Sequence, residues 1–243
     1  MKCVRFELPT IFMSMVLVFD LDDTLYEERV YVESGLRAVA EFGERELGWN
    51  SESSFHFMVD ILDHVGRGKI FDLWLKEFGR HSKGLTRKCV NIYRHHTPNL
   101  QLFNSAKELL PHLKEYPMYI VTDGHKLVQE KKVRALGIEM LFHHVYITHR
   151  YGVKNAKPST YCFELIKKRE NCSWEDIMYI GDNPSKDFVN LNGLGVKTVR
   201  VLTGGQRKMK AMAGYDAQFI IPDLTHFLAL LEGLKYGEQT CEN

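Results

Sequence analysis

Short apolar runs recur along the chain, and several of them end in Gly, Asp or Thr. They are continuous, without the polar alternation of a strand that has one face in water. Such runs are typical of parallel strands covered on both faces. They span residues 16–20, 118–124, 145–148, 177–182, 196–201 and 217–221. The sequence therefore predicts a buried parallel sheet.

Helical patterns of suitable length lie between the later runs. They cover residues 105–115, 125–136 and 158–170. Gly137 follows the second pattern, as expected at a helix C-terminus, and Pro158 opens the third, where a missing N–H costs nothing. Strands that alternate with helices in this way predict an α/β fold, a doubly wound, Rossmann-like parallel sheet with right-handed crossovers.

The first connection, between the runs at 16–20 and 118–124, is too long for a simple crossover. Apolar residues within it recur at the i, i+3, i+4, i+7 spacing of amphipathic helices. These patterns lie at 58–65 and 71–78, with further helical patterns near 30–47 and 85–96. The sequence therefore predicts an all-helical insertion over 27–98, and a core formed by 1–26 and 99–243.

Charge and cysteine content exclude several classes of protein. Lys and Arg number 32 against 31 Asp and Glu, so no broad basic field exists to hold nucleic acid or an anionic membrane. The 5 cysteines are odd in number and widely spread, without a Cys-x-x-Cys pair. A disulfide framework and a thiolate zinc site are both disfavoured, and we expect a reducing, cytoplasmic setting.

The N-terminus has some features of a secretory signal, because Lys2 and Arg5 precede an apolar stretch. Pro9 and Ser14 interrupt that stretch, and no small-residue cleavage site follows. We therefore expect residues 1–14 to be a dispensable extension, or the product of an upstream start codon. No apolar run reaches the roughly 18 residues that a membrane helix needs.

The segment Phe-Asp-Leu-Asp-Asp-Thr-Leu, residues 19–25, places three aspartates directly after the first apolar run. Asp20 and Asp22 are two residues apart, so they face the same way if the backbone stays extended. Two such carboxylates repel one another, and their burial without a partner is costly. This arrangement predicts a bound cation, although a solvated acidic turn explains the segment when it is considered alone.

Further polar residues follow the other runs. Thr122, Asp123 and Gly124 end the second run, Lys157 precedes the helix after the third, and a Gly-Asp pair follows the fourth. In an open α/β sheet, ligands bind outside the carboxyl ends of the strands. The sequence therefore places one candidate site at that edge of the sheet.

Together these segments resemble the haloacid dehalogenase-like hydrolases, most of which are magnesium-dependent phosphatases. The family's four motifs occur in order, as Asp-x-Asp-x-Thr from Asp20, Thr122, Lys157, and Asp182 with Asp187. The resemblance covers about residues 16–201. An insertion directly after the first motif is similar to the helical cap that supplies substrate selectivity in this family.

The resemblance implies a role for each motif residue. Asp20 would be a nucleophile that forms an aspartyl phosphate, and Asp22 the acid and base that serves the leaving alcohol and then water. Lys157 would supply fixed positive charge to both the nucleophile and the phosphate. The phosphate-binding residues would be Thr122, Asp123, Gly124 and Lys157.

The resemblance also implies Mg²⁺, which prefers hard oxygen ligands. Its protein ligands would be Asp20, the backbone carbonyl of Asp22, and Asp182. Asp187 would join the outer shell of the metal or orient Lys157.

Two assignments have alternatives. Lys154 competes with Lys157 for the motif lysine, but Lys157 precedes Pro158 and is therefore biased to extended backbone at the mouth of the following helix. Asp187 is alternatively a favourable acid in the first turn of a helix. Asp23 is interpreted as part of a surface turn.

The resulting hypothesis is a phosphatase acting on a small phosphorylated metabolite. The insertion and the stretch around Asp182 are most similar to the branch of sugar-phosphate and nucleoside-monophosphate phosphatases, including acylneuraminate 9-phosphatases. A phosphomutase of the same family and a catalytically silent binding module are alternatives. A dehalogenase is disfavoured, because displacement of halide needs no acid, and Asp22 is present.

Overall fold

The computed structural model describes residues 15–239, so the expectation for residues 1–14 lies outside the described residues. The chain divides into two compact units. The sheet unit comprises the described residues up to Leu25, then Phe103–Asp123, and those from Glu139 onward. The helical unit comprises Tyr26–Leu102 and Gly124–Ile138.

The sheet unit contains a parallel sheet of 6 strands in the order β3-β2-β1-β4-β5-β6. The strands are β1 (Val16–Phe19), β2 (Met118–Thr122), β3 (His144–Ile147), β4 (Ile177–Gly181), β5 (Lys197–Val201) and β6 (Phe219–Ile221). Each corresponds to one of the apolar runs, so the predicted doubly wound α/β fold is confirmed. The order of the strands reverses between β1 and β4, which creates a switch point where the crossovers leave in opposite directions.

Burial explains why the runs are continuous. Every residue of the central strands β1, β2 and β4 is buried, whereas the edge strand β3 begins with the exposed His144. Aromatic residues fill the space on one face, where Phe19 packs against Phe142 and Phe227 with ring centroids 6.0 and 6.2 Å apart. A strand covered on both faces has no position at which a polar side chain reaches water.

The helices of the sheet unit are α5 (Asn104–Leu109), α7 (Tyr161–Glu170), α8 (Val189–Asn192) and α9 (Phe227–Gln239). The helix predicted over 105–115 is shorter than expected. It continues as a 3₁₀ turn over Leu110–Leu113, because Pro111 has no N–H to extend the α-helical ladder. The helix predicted from Pro158 begins at Tyr161 and ends at Glu170, and the following residue, Asn171, has a φ of 49°, in the left-handed region.

The helical unit contains α1 (Glu28–Leu47), α2 (Ser51–His64), α3 (Ile70–Glu77), α4 (Lys83–His95) and α6 (Lys126–Leu136). Helices α1 to α4 all lie within residues 27–98, the segment predicted to be helical. Its core is aromatic, and Trp49 meets Trp74 edge to face at 5.1 Å. Among the described residues, no helix has both the length and the apolar character needed to cross a bilayer.

Helix α6 falls in the helical unit by its contacts, whereas the predicted core, 1–26 and 99–243, includes residues 125–136. The Nζ of Lys131 donates to the backbone carbonyls of His95 and His96, at 2.5 and 2.9 Å. These carbonyls belong to the C-terminal end of α4, where no helical N–H remains to satisfy them. One cation thereby joins α6 to the end of α4. The functional boundary between core and cap stays a prediction.

A second contact joins α6 to α1 through Glu28. The carboxylate of Glu28 accepts two hydrogen bonds from Arg67, at 2.7 and 2.6 Å, and lies 3.4 Å from the buried Nζ of Lys132. Burial alone raises the pKa of Glu28, but the bonds from Arg67 and the charge of Lys132 outweigh it and lower the pKa to about 2. Because this folded-state pKa lies below the ordinary value, the contribution to stability is complete above about pH 4.5 and is lost as the pH falls toward 2.

Glu28→Gln is expected to lower the free energy of unfolding by about 2 kcal/mol at neutral pH and by much less near pH 3. Urea denaturation of wild type and variant at the two pH values measures this difference. Glu33→Gln is the matched control, because Glu33 pairs with Arg29 on the surface and such pairs contribute little. Equal losses at the two pH values would contradict the assignment.

Candidate active site

The candidate site lies at the carboxyl ends of β1 and β4, on both sides of the switch point. Asp20 directly follows β1 and Asp182 directly follows β4, and both are buried. The N–H of Asp20 donates to the carbonyl of Ile180 at 2.8 Å, which continues the pairing of β1 with β4 by one residue. The sheet itself therefore fixes the backbone of both acids.

Lys157 brings a buried positive charge to this position. Its Nζ lies 2.7 Å from Oδ1 of Asp20 and 2.8 Å from Oδ1 of Asp187. Burial alone lowers the pKa of Lys157, but the charges of Asp187 and Asp20 raise it well above its ordinary value, so the group stays charged. Lys154 is exposed, and the structure therefore selects Lys157 as the lysine at Asp20.

Asp187 and Tyr179 hold the ammonium group of Lys157. Lys157 donates to the hydroxyl of Tyr179 at 2.9 Å, and that hydroxyl donates to Oδ1 of Asp187 at 3.1 Å. The other oxygen of Asp187 accepts from the N–H of Asn183 at 2.9 Å. A Cβ at Gly181 would lie 2.7 Å from this carboxylate, so only glycine allows the approach. Asp187 thus contacts Lys157 directly and precedes α8, outside its first turn, and its role in orienting Lys157 stays a prediction.

Asp20, Asp182 and Asp187 form a group whose carboxylate oxygens lie within 4.8 Å of one another. Burial, opposed by Lys157 and reinforced by Asp187, raises the pKa of Asp20 to about 7. Burial and the neighbouring charges of Asp20 and Asp187 raise the pKa of Asp182 to about 9. The one ammonium group of Lys157 therefore does not offset the repulsion in this group.

The donor set fits a divalent cation of the magnesium type. Its atoms are hard carboxylate oxygens, and a cation between them removes the repulsion that raises their pKa values. Both oxygens of Asp187 are already engaged by protein donors, whereas Asp20 has one lysine contact at Oδ1. This difference favours Asp20 and Asp182 as the side chains that hold the cation.

The residues predicted to bind phosphate lie at and after the end of β2. Thr122 is the last residue of β2 and is fully buried, and Gly124 follows with a φ of 134°. The carboxylate of Asp123 accepts from the hydroxyl of Thr148 at 2.7 Å and the N–H of Lys157 at 3.0 Å, and lies 3.4 Å from Nζ of Lys186. Asp123 thus joins the segments that carry two lysines, and its contact with phosphate stays a prediction.

Asp22 lies in the segment after Asp20, is half buried, and its carboxylate is outside the group of three. Strand β1 ends at Phe19, and Asp22 lies in an isolated β-bridge beyond it. Asp23 occupies the turn expected for it, with a φ of 56°.

This geometry agrees with the comparison of the chain with known families. A family model described as haloacid dehalogenase-like hydrolase matches residues 15–189, and one described as HAD-hydrolase-like matches residues 155–227. The chain belongs to the haloacid dehalogenase-like hydrolases. The motif residues of the sheet unit, from Asp20 to Asp187, all fall within the first match.

Two relatives of this hydrolase are named glyceraldehyde 3-phosphate phosphatase. The protein of Methanocaldococcus jannaschii is 28% identical over 226 residues, which are 90% of this chain and 97% of that protein. The protein of Methanopyrus kandleri is 28% identical over 210 residues, 82% of this chain and 88% of its own. The narrower resemblance to nucleotidases and acylneuraminate 9-phosphatases stays a prediction.

Solved structures of the family share the fold of this hydrolase. The putative HAD-hydrolase YfnB of Bacillus subtilis, solved with bound magnesium, aligns with a TM-score of 0.67 at 21% identity, over 89% of this chain and 98% of its own. A HAD phosphatase from Thermococcus onnurineus aligns with a TM-score of 0.59 at 22% identity, over 89% of this chain and 97% of its own. At these identities the likeness demonstrates a common fold alone.

Sequence reasoning missed Tyr179 and Lys186 in the site of this hydrolase. Tyr179 lies within the apolar run of β4, where an aromatic residue is read as core, yet its hydroxyl contacts both Lys157 and Asp187. A buried tyrosine hydroxyl usually has a hydrogen-bond partner, and that expectation was the available signal. Burial and the charge of Lys157 lower the pKa of Lys186, but Asp20 and Asp187 raise it above its ordinary value overall.

Proposed function

We propose that this protein is a magnesium-dependent phosphatase that hydrolyses a small sugar phosphate through an aspartyl phosphate on Asp20. The observation that carries the proposal is the contact of Lys157 with Asp20 beside a second buried acid, Asp182, at the switch point of the sheet. The names of the two archaeal relatives support a sugar phosphate as the substrate class. Nucleoside monophosphates are the second substrate class that the assay includes.

In the first step, a carboxylate oxygen of Asp20 attacks phosphorus, and the bond from phosphorus to the sugar oxygen breaks. The electron pair of that bond goes to the sugar oxygen, which takes a proton from Asp22 and leaves as the alcohol. Lys157 stays close to the attacking carboxylate and offsets negative charge on the phosphoryl oxygens. Thr122 and the backbone N–H groups after β2 orient those oxygens.

In the second step, water attacks phosphorus and gives a proton to the carboxylate of Asp22. The bond between phosphorus and Asp20 breaks, and its electron pair returns to the carboxylate. Phosphate is released, and the protonated Asp22 is ready for the next substrate. Asp22 therefore alternates between acid and base in the two steps.

Asp20, Asp182 and the backbone carbonyl of Asp22 would hold Mg²⁺, with Asp187 outside the coordination shell. The bound ion supplies positive charge that offsets repulsion between the carboxylates and the phosphate. The choice of substrate is assigned to the helical insertion, because it leaves the core directly after the segment that carries Asp20 and Asp22.

The test is a screen of sugar phosphates and nucleoside monophosphates for released phosphate, with Mg²⁺ and with EDTA. Release from at least one sugar phosphate in Mg²⁺ alone is expected. Turnover that is indifferent to EDTA would contradict the metal assignment. Formation of an isomerised sugar phosphate without free phosphate would contradict the proposed hydrolase and identify the protein as a phosphomutase.

Metal binding has a readout independent of turnover. Mg²⁺ is expected to raise the melting temperature of the wild type by several degrees, because each factor of 100 in concentration over Kd adds about 2.7 kcal/mol. Asp182→Asn is expected to abolish that increase while it leaves the metal-free protein folded, because the raised pKa of Asp182, about 9, keeps this carboxyl protonated near neutral pH without metal and Asn is similarly neutral. Asp216→Asn lies outside the acidic group and should retain the full increase. An equal increase in Asp182→Asn would remove Asp182 from the metal site.

A further inference from the structure

We propose that the loop after β5, residues 203–205, positions the carboxylate of Asp22 for proton transfer by clamping the turn that carries it. This inference rests on the proposed function, in which Asp22 is the acid and base. The three residues of the loop touch no reacting atom in that mechanism. They are positioning residues that act through Asp23, the neighbour of Asp22.

Two hydrogen bonds fix Asp23 to this loop, which follows it by about 180 residues in the sequence. The hydroxyl of Thr203 donates to the backbone carbonyl of Asp23 at 2.5 Å, and the N–H of Gly205 donates to its Oδ2 at 3.0 Å. The first bond holds the main chain and the second holds the side chain. The peptide unit and the carboxylate of Asp23 are therefore both constrained by the loop.

Gly204 brings the loop close enough for these bonds to form. Its φ is 61°, and a Cβ built on it would lie 2.1 Å from Cγ and 2.2 Å from Cβ of Asp23. These distances are far shorter than any van der Waals contact, and the atoms belong to the base of a short side chain that has little freedom to move. No residue with a side chain fits at this position while Asp23 keeps its place.

Asp22 lies between two anchored neighbours. On one side, Asp20 is hydrogen-bonded to β4 through its N–H at 2.8 Å. On the other side, Asp23 is clamped by the loop, and the N–H of Leu25 donates to the carbonyl of Leu21 at 3.0 Å to close the turn. The side chains of Leu21 and Leu25 are fully buried, which leaves the turn no room to shift inward.

The position of Asp23 is thus coupled to the position of Asp22 through one peptide bond. Its φ of 56° is unusual for a residue other than glycine, so the turn relaxes toward other conformations when the clamp is lost. Proton transfer requires the carboxylate within hydrogen-bond reach of the reacting oxygen, and a shift of about 1 Å can cost about 100-fold in rate. The backbone carbonyl of Asp22, a proposed ligand of Mg²⁺, belongs to the same peptide bond, so all rates are compared at saturating Mg²⁺. Under that condition the clamp matters for the acid and base but not for the attack by Asp20.

Because the clamp is proposed to act on Asp22, phosphorylation of Asp20 and complete turnover are measured separately. With p-nitrophenyl phosphate, the leaving group is stable as an anion and needs no acid. Release of nitrophenolate in the first turnover, measured with enzyme in excess over ester and called the burst below, therefore reports phosphorylation of Asp20 alone. Steady-state turnover of the same ester also needs Asp22 as base. Alkyl phosphates need Asp22 in both steps.

Gly204→Ala is expected to keep a burst of normal rate and amplitude, while turnover of alkyl phosphates falls about 10- to 100-fold, mainly in kcat. Gly214→Ala is the matched control, because Gly214 also has a positive φ, 78°, in the same connection between β5 and β6, but a Cβ there meets nothing within 4 Å. It imposes the same backbone strain without displacing Asp23. We expect normal bursts and normal turnover from Gly214→Ala.

Thr203 gives a second test that does not depend on a steric clash. Thr203→Val removes the hydroxyl that holds the carbonyl of Asp23 and keeps the shape, whereas Thr203→Ser keeps the hydroxyl. Turnover of alkyl phosphates should fall in Thr203→Val and return in Thr203→Ser, with a normal burst in both. This pair decides the question if Gly204→Ala does not fold.

Asp22→Asn separates failure of the clamp from failure of the proposed function. Normal turnover of alkyl phosphates in Asp22→Asn would overturn the role of Asp22, and with it the proposed mechanism. If Asp22→Asn is inactive but Gly204→Ala and Thr203→Val match Gly214→Ala, the clamp is wrong and the mechanism stands. Loss of the burst together with turnover in both loop variants would also overturn the clamp, because the damage would then extend to Asp20.

Discussion

Asp20→Asn is expected to lower phosphate release by about 10⁴-fold or more, because an amide oxygen does not replace a carboxylate as the nucleophile. The variant should nevertheless fold. Burial raises the pKa of Asp20 to about 7, so its ionised form is costly in the metal-free protein, and Asn removes that cost. Lys157 keeps its second partner, Asp187, at 2.8 Å. We expect a melting temperature in EDTA close to that of the wild type.

A covalent assay makes this prediction specific to the nucleophile. Wild-type enzyme quenched in acid during turnover of a radiolabelled phosphate ester should carry label that hydroxylamine releases, as an acyl phosphate does. Asp20→Asn should carry none. Asp60→Asn, which alters an exposed carboxylate of α2, is the control and should match the wild type in label and turnover. Turnover near the wild-type rate in Asp20→Asn would exclude Asp20 as the nucleophile.

The fold was predictable from the sequence because a strand buried on both faces permits only apolar residues. An apolar run such as that of β4 is therefore recognisable in the sequence as a buried strand, and the polar residues after it indicate the edge of the sheet where ligands bind. Asp20 and Asp182 were identified for this reason, since each directly follows such an end. Lys157 lies beyond two 3₁₀ turns that follow β3, and the family motif identified it instead. Periodicity likewise located the helices of the insertion.

The sequence did not predict features that depend on contacts distant along the chain. Tyr179 lies within an apolar run, so the sequence pattern predicts a core residue. Only the approach of Lys157, 22 residues earlier in the chain, gives its hydroxyl a hydrogen-bonding role. Helix α6 reads as a crossover helix of the core, but the bonds from Lys131 to the end of α4 join it to the helical unit. The contact of Gly204 with Asp23 has no local signal, because glycine in a loop is common.

Lys157→Met is expected to destabilise the metal-free protein by roughly 3–5 kcal/mol near pH 8 and to abolish turnover. The side chain of Lys157 is 1% exposed, and its removal leaves the carboxylates of Asp20 and Asp187 buried without their cation. Lys154→Met is the matched control, since Lys154 lies three residues away but is exposed. It should change neither stability nor activity. Urea denaturation in EDTA measures the difference.

The loss in Lys157→Met should depend on pH. A carboxyl group whose folded-state pKa is raised binds a proton more tightly in the folded protein, so its contribution to stability declines as the pH rises through that pKa. The pKa of Asp20 is already about 7 with Lys157 present, and the charge of Lys157 opposes the increase. Without the lysine the pKa rises further, and the deficit should be larger near pH 9 than near pH 6.

A double variant distinguishes loss of charge from loss of packing. If the cost of Lys157→Met comes from uncompensated carboxylates, adding Asp187→Asn removes one of them and should restore part of the stability. If the cost comes from packing, the second substitution should add to the loss, because Asp187 also accepts from Tyr179 and Asn183. Lys157→Arg keeps the charge in a planar, wider group, so it should retain more stability than Met without restoring turnover. The pair of results would assign the buried lysine its electrostatic role at Asp20 independently of any activity assay.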